Sequence, residues 1–263
     1  VQVPGVMMIV WPDQWYHTSG DRVDKSDPTQ LKRVAVIGAA GAYTIANADD
    51  EMAIKIASET ASNGARRLGH ELMRGLEALN QASAADLAEA YKTARMYIDA
   101  AAINEKATLD TVMELAADTK RVGSHVDALK KAVVAQSAAH LDALDAHMRQ
   151  RAAFWNVGPV KVEWSELEKK ASKVVPRPTA LVKQNGYRGY SEFMDAVPAD
   201  KKKEFPYNRR SVGNTRELNL LINGKNSVLD IKSLLDAQTQ TTSELEAIFN
   251  YLEILKLAGL IEF

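Results

Sequence analysis

The feature that most constrains the fold is the stretch 51–153, which contains no proline. It is rich in Ala, Leu, Glu, Lys and Arg, and its apolar residues recur at intervals of three and four. Because this spacing places apolar side chains on one face of a helix, the stretch predicts long amphipathic helices. Breaks near residues 80–84 and 118–124 predict turns between three or four antiparallel helices, as a bundle or a coiled-coil arm.

Three apolar stripes predict the buried faces of these helices. They are Leu68, Leu72, Leu76 and Leu79; Leu87, Tyr91, Ala94 and Ile98; and Val122, Val126, Leu129, Val133, Leu141, Leu144 and Met148. Gly64, Gly69 and Gly75 lie inside the helical pattern and form no phosphate loop, so they predict close helix packing. His70, His125, His140 and His147 are interpreted as solvated helix positions.

Prolines and glycines interrupt the helical pattern after residue 155. Residues 156–208 therefore predict a mostly irregular connection with short helices that packs on the rest of the chain. From residue 209 the pattern indicates a compact unit with helices at 227–237 and 243–257 and a short strand at 260–263. This order resembles a small winged-helix domain. The predicted units are thus 1–50, 51–155, 156–208 and 209–263.

Charge and composition exclude several classes of function. The 33 basic and 34 acidic residues nearly cancel, so no nucleic acid or anionic membrane is expected as a partner. No apolar run approaches a membrane span and no signal-peptide pattern is present, so we expect a folded, soluble protein. Cysteine is absent, which excludes disulfides, thiolate metal sites and a cysteine nucleophile. The localisation stays open, with export from a bacterial cell among the options.

The first fifty residues contain the motifs that most directly indicate a chemical function. The apolar run 6–10 is typical of a strand buried on both faces. Because the chain offers few strands to flank it, either its partner strands lie on a segment that is missing here or the run is not a strand in this chain. Residues 12–27 predict an ordered loop, because they are rich in Asp, Ser, Gly, Thr and aromatic residues. Asp27 followed by Pro28 predicts the start of a helix that ends near residues 47–50.

This tract resembles the end of the catalytic domain in zinc aminopeptidases of clan MH, the twenty-eighth metallopeptidase family. Relatives in that family include bacterial leucyl aminopeptidases and glutamate carboxypeptidase. The resemblance covers residues 1–48 and depends on four motifs in order: Val3-Pro4-Gly5-Val6-Met7-Met8, Trp11-Pro12-Asp13, Tyr16-His17-Thr18-Ser19-Gly20-Asp21 and Asp24-Lys25-Ser26-Asp27-Pro28. It implies a mainly α chain that keeps the remnant of an α/β phosphorylase/hydrolase-like peptidase domain.

The resemblance implies a role for each residue of the loop. His17 would be a terminal zinc ligand, since neutral imidazole suits zinc. Thr18 and Asp21 would support that ligand, and Tyr16 would donate to the developing oxyanion. The intact protein would hold two zinc ions and act on peptides. Its other ligands, which are a histidine, a bridging aspartate, a Glu-Glu pair and a further aspartate, would lie upstream, so this chain alone is expected to be inactive and to bind little or no zinc.

Two readings from other classes stay open. The first is a helical interaction or scaffold module without catalysis, which the zinc content of the full-length protein would separate from a peptidase. The second is a transcription regulator. In a winged helix, the helix at 243–257 would face DNA, but it carries Glu244, Glu246 and Glu253 against Lys256, which disfavours binding to phosphates. The basic residues at 201–203 and 209–210 are interpreted as solvated surface.

Overall fold

The computed structural model describes residues 6–9, 11–158, 160–187, 190–239 and 241–263. Helices hold 71% of the residues and strands 2%, which confirms the mainly α class. Within these described ranges, no helix is both long and apolar enough to cross a membrane.

Three long helices form a bundle after a first, separate helix. The first, α1, is Pro28–Ala46, and the bundle consists of α2 (Asp50–Gln81), α3 (Leu87–Thr111) and α4 (Thr119–Phe154). Carboxylates define two of the bundle's helix starts: Asp49 accepts a hydrogen bond from the backbone N–H of Met52, and Asp118 accepts from Lys120 and Arg121. A 3-10 turn, Val112–Leu115, extends α3 towards α4.

The three apolar stripes face one another inside the bundle. Leu68, Leu79, Ile98, Val122 and Leu144 are all fully buried, and the remaining stripe members are buried or packed against them. The stripes were therefore predicted correctly. The first break was also placed correctly, but the second was wrong, since the chain turns at 112–118 and residues 119–124 already belong to α4.

Two of the three glycines on α2 allow close packing. A Cβ on Gly64 would lie 2.6 Å from Oε2 of Glu105, and one on Gly75 would lie 3.0 Å from Cβ of Ala94. A Cβ on Gly69 would meet no atom within 4 Å. The packing prediction is therefore confirmed for Gly64 and Gly75 and wrong for Gly69.

The glycine pair on α2 predicts opposite effects of the same substitution. Gly69→Ala should raise the free energy of unfolding by about 0.5–1 kcal/mol, because alanine is the better helix former and the space is open. Gly64→Ala should lower it by about 1–2 kcal/mol, because the new methyl group displaces the buried carboxylate of Glu105. Urea unfolding followed by circular dichroism measures both. A stabilised Gly64→Ala protein would mean that the α2–α3 contact is looser than described.

Several short helices, two longer helices and a pair of short strands form the second half of the chain. They are α5 (Glu166–Ala171), α6 (Ala180–Asn185), α7 (Tyr190–Ala196), α8 (Ala199–Glu204), α9 (Arg209–Val212), α10 (Thr215–Leu221), α11 (Val228–Thr239) and α12 (Leu245–Leu257). Strand β1 (Arg177–Pro178) pairs antiparallel with β2 (Ile261–Glu262).

One apolar core unites these elements. Ala171, Val182 and Met194 from the predicted connection share it with Ile231 and Leu252 of α11 and α12. The short helices of 156–208 thus pack into the core of the unit that follows them. We call residues 160–263 the C-terminal unit.

The C-terminal unit joins the bundle through α3. Tyr97 and Ala100 of α3 are buried against Leu234 and Ala237 of α11. The hydroxyl of Tyr97 lies 3.4 Å from Oγ1 of Thr242. Helix α3 therefore contributes one face to the bundle and another to the contact with the C-terminal unit.

The N-terminal tract contrasts with both halves because its apolar residues are exposed. Residues 6–9 are not a strand in the structure, and Val10, the last residue of the predicted strand, lies outside the described residues. No residue of α1 is buried; Leu31, Ile37 and Tyr43 are 61%, 60% and 71% exposed. A helix that is apolar on most of its surface is normally covered by other structure.

Candidate functional site

The loop that carries the predicted site residues is held by its own hydrogen bonds. The backbone N–H of Trp15 donates to Oδ1 of Asp13 at 2.9 Å. Oγ1 of Thr18 donates to the carbonyl oxygen of Trp15 at 2.7 Å and accepts from the N–H of Gly20 at 3.2 Å. This local network confirms the prediction of an ordered loop, because side-chain bonds of this kind fix turns.

His17 lies in an exposed turn of the loop. Its φ of 59° lies in the left-handed region, which histidine adopts more readily than most residues. The imidazole stacks on the ring of Tyr16 with centroids 4.0 Å apart, and Trp11 packs edge-on against Tyr16 at 5.9 Å. All three side chains are exposed. The imidazole is therefore oriented by aromatic stacking and presented outwards.

The two predicted supporting residues act on the loop backbone. The hydroxyl of Thr18 is engaged by Trp15 and Gly20, so it fixes the turn that precedes Gly20. The N–H of Asp21 donates to the carbonyl oxygen of Thr18 at 3.2 Å. The carboxylate of Asp21 is exposed, like the imidazole it would support. The geometry thus brings Tyr16 to His17, and it places Thr18 and Asp21 in the same turn.

The loop leads directly into α1. A 3-10 turn, Val23–Lys25, precedes the helix, and Nζ of Lys25 lies 4.8 Å from the ring centroid of Trp15. Oδ1 of Asp27 accepts from the N–H of Thr29 at 2.8 Å, and Pro28 occupies the first helical position. The predicted helix start is therefore confirmed. Because the loop continues directly into α1 at this cap, the loop lies next to the exposed apolar surface of that helix.

The donor set around His17 fits zinc only in part. Structural and catalytic zinc sites take three or four protein ligands, and His17 supplies one imidazole. Among the described residues, no group of three or more His, Asp or Glu side chains is arranged to hold a metal ion. A complete site at His17 would need ligands from elsewhere.

The other histidines do not gather at this loop. Nε2 of His125 lies 3.1 Å from Oγ of Ser58, and Nε2 of His147 lies 2.8 Å from Oδ1 of Asn80. Both therefore link α4 to α2 through hydrogen bonds at the exposed surface, which the interpretation as solvated positions did not foresee. His70, with 43% of its side chain exposed, is solvated as predicted, whereas Nδ1 of His140 is buried.

Sequence reasoning missed two buried carboxylates between α2 and α3. Glu105 is 5% exposed and accepts two hydrogen bonds from Arg67, at 2.6 and 2.7 Å. Glu71 is equally buried and accepts from Nη1 of Arg74 at 2.7 Å. Each carboxylate is neutralised by an arginine, so the pair is a structural feature. The available signal was Gly64, whose missing side chain leaves room for Glu105.

Comparison with known proteins adds no family to this description. No protein-family model, no curated protein and no solved structure matches the chain. The functional argument therefore depends on the loop, on α1 and on the motifs that they carry.

Proposed function

We propose that this chain is the C-terminal part of a zinc-dependent aminopeptidase that removes N-terminal residues from peptides. In this proposal His17 is a terminal ligand in a two-zinc site. The observation that carries it is an exposed imidazole, oriented by Tyr16, on an ordered loop that leads into an apolar helix with no buried residue. Both features fit a fragment of a larger domain that is completed by upstream residues.

The surface of α1 supports the proposal independently of the motif. Leu31, Val36, Ile37 and Ile45 each expose more than half of their surface. Burying such side chains contributes about 1.5–3 kcal/mol each, so a partner surface for this helix is strongly favoured. The proposed partner is the N-terminal part of the peptidase domain, packed against α1 and contributing the remaining ligands.

The proposed chemistry assigns distinct tasks to the loop residues. When bound, two zinc ions would polarise the scissile carbonyl and lower the pKa of water. His17 would hold one ion through its neutral imidazole, and Thr18 and Asp21 would keep the loop and ring in position. The phenol of Tyr16, stacked beside the ligand, would donate a hydrogen bond to the oxyanion. A general base and the pocket for the peptide amino terminus would come from upstream residues.

Zinc content tests the proposal. In this proposal, the protein extended upstream of Val1 by the missing part of the peptidase domain should retain about two zinc ions per chain after dialysis, since a complete ligand set binds tightly. The present chain should retain far less than one, because a single imidazole is a weak site. Elemental analysis measures both. An extended protein without zinc would contradict the peptidase proposal, and stoichiometric zinc in the present chain would reveal a different ligand set.

A scaffold role is the second candidate, and one observation favours it. The bundle ends in two exposed aromatic side chains, Phe154 at 71% and Trp155 at 42%, which pack edge-on at 5.1 Å. Exposed aromatic residues are typical of protein contacts. A scaffold role predicts that the extended protein contains no zinc in the elemental analysis described above.

A further inference from the structure

The segment 160–164, with the sequence Val-Lys-Val-Glu-Trp, lies between α4 and α5. It contains neither a turn nor a bend, and Ser165, which follows it, has extended backbone with a φ of −62° and a ψ of 162°. Within the described part of the chain, none of its backbone N–H and C=O groups takes part in a hydrogen bond. We call 160–164 the linking segment; its backbone is unpaired like that of an edge strand.

Both ends of the linking segment are fixed to the rest of the protein. Val160 packs against the apolar cluster of the bundle. At the other end, Ser165 and Glu168 cap α5 through two reciprocal hydrogen bonds, and Glu168 pairs with Nζ of Lys92 on α3 at 2.8 Å. A partner strand would therefore meet a segment whose course is already set, which lowers the entropy cost of association.

The side chains of the linking segment alternate as they do in a strand. Val160, Val162 and Trp164 are β-branched or aromatic, which favours a strand. Val162 and Trp164 remain 40% and 47% exposed. Lys161 and Glu163 between them are exposed charges, and neither forms an ion pair with another described residue. The segment thus combines an unpaired backbone, an incompletely covered apolar side and two unpaired charges of opposite sign.

We infer that the linking segment pairs with the same segment of a second copy of this chain, antiparallel about a two-fold axis at Val162. This register places Lys161 opposite Glu163 of the partner subunit, twice by symmetry, and Val160 opposite Trp164 of the partner subunit. Opposite charges and aromatic–β-branched pairs stabilise an antiparallel ladder when they lie directly across it. An isologous contact of this kind closes as a dimer.

Other registers of the same pairing are less favourable. A shift by two residues places Lys161 opposite its own copy, or Glu163 opposite its own copy, and like charges directly across a ladder are destabilising. A shift by one residue places charges opposite apolar side chains and mixes the two sides of the ribbon. This charge complementarity of the segment with itself identifies a second copy as the partner. The inference involves neither the loop nor α1, so it is independent of the proposed peptidase function.

Charge reversal tests the pairing. Sedimentation velocity of the unaltered chain at about 10 μM to 1 mM should show a reversible monomer–dimer equilibrium, since a short ribbon gives a weak contact. Lys161→Glu and Glu163→Lys should each weaken dimerisation about tenfold or more, because both charge pairs become repulsive. An equimolar mixture of the two variants should dimerise again, since every Glu then faces a Lys. Lys183→Glu, at an exposed lysine on α6, is the matched control and should leave dimerisation unchanged.

A disulfide tests the register. The chain contains no cysteine. Residues directly opposite in an antiparallel pair have Cα atoms about 4.5–5.5 Å apart, a separation that a disulfide can span. Val162→Cys should therefore cross-link to a second copy under mild oxidation about tenfold faster than Val175→Cys. Val175 is a suitable control because its exposure, 37%, is close to the 40% of Val162.

Three results would each overturn the inference. The first is a chain that stays monomeric up to about 1 mM. The second is dimerisation that both charge reversals leave unchanged, which would assign the contact to another surface such as α1. The third is equal rates of cross-linking at 162 and 175. Recovery of dimerisation in the mixture requires that both variants are folded, so it also excludes misfolding as the cause of their separate effects.

Discussion

Under the proposed peptidase function, replacing His17 with alanine in the protein extended upstream of Val1 is expected to reduce hydrolysis of aminoacyl chromogenic substrates by more than about a hundredfold. Loss of a residue that only supports a metal ligand costs about 10- to 100-fold, and loss of the ligand itself should cost more. Zinc content should fall in parallel, because the proposed site would lose one of its few protein ligands. Initial rates and elemental analysis on the same preparation measure both.

The matched control is His70→Ala, which removes an exposed imidazole from α2, far from the loop in sequence. It should leave both rate and zinc content unchanged. Thr18→Ala should have an intermediate effect, since its hydroxyl holds the turn at Trp15 and Gly20. Full activity of the His17→Ala protein would show that this residue is not a ligand, even if the extended protein is a zinc peptidase.

Replacing Asp236 with alanine is expected to lower the free energy of unfolding by about 3–5 kcal/mol. This carboxylate is fully buried; it accepts from Nζ of Lys232 at 2.6 Å and from the N–H and hydroxyl of Ser243 at 2.9 and 2.5 Å. It therefore joins α11 to the start of α12. Its loss leaves a mostly buried ammonium group and two donors without an acceptor, which is costly.

A second variant separates the charge from the hydrogen bonds at this position. The double variant Asp236→Ala/Lys232→Met should recover part of the loss, because removing the unpaired ammonium removes its desolvation cost. Asp236→Asn should be milder than alanine, since its carbonyl oxygen can still accept from Ser243. Thermal melting and urea unfolding by circular dichroism measure the series. Wild-type melting of the alanine variant would show that α11 and α12 are joined without this carboxylate.

The features that follow from local spacing and local chemistry were predictable from the sequence. The stripes of α2, α3 and α4 are buried because apolar spacing directly encodes a helix face, as Leu68 and Ile98 show. The start of α1 was predictable because Asp27 and Pro28 act within one turn. The ordered loop around Thr18 is likewise held by bonds between near neighbours.

Features that depend on contacts distant in sequence were missed. Gly123 and Ser124 suggested a turn, but α4 continues through them, and a Cβ on Gly123 would lie 3.5 Å from Cε of Met113. The hydrogen bond of His147 was missed because its partner Asn80 lies on another helix. Periodicity identifies the face of a helix that is buried but not what covers it.

The position of α3 has a consequence for the order of events on the ribosome. Contacts within α2–α4 involve only residues up to 154, so the bundle can form before the C-terminal unit has been synthesised. Tyr97 and Ala100 are then in place when Leu234 and Ala237 emerge. The bundle can thus serve as a template during translation, since the late segment would complete its fold against a surface that already exists.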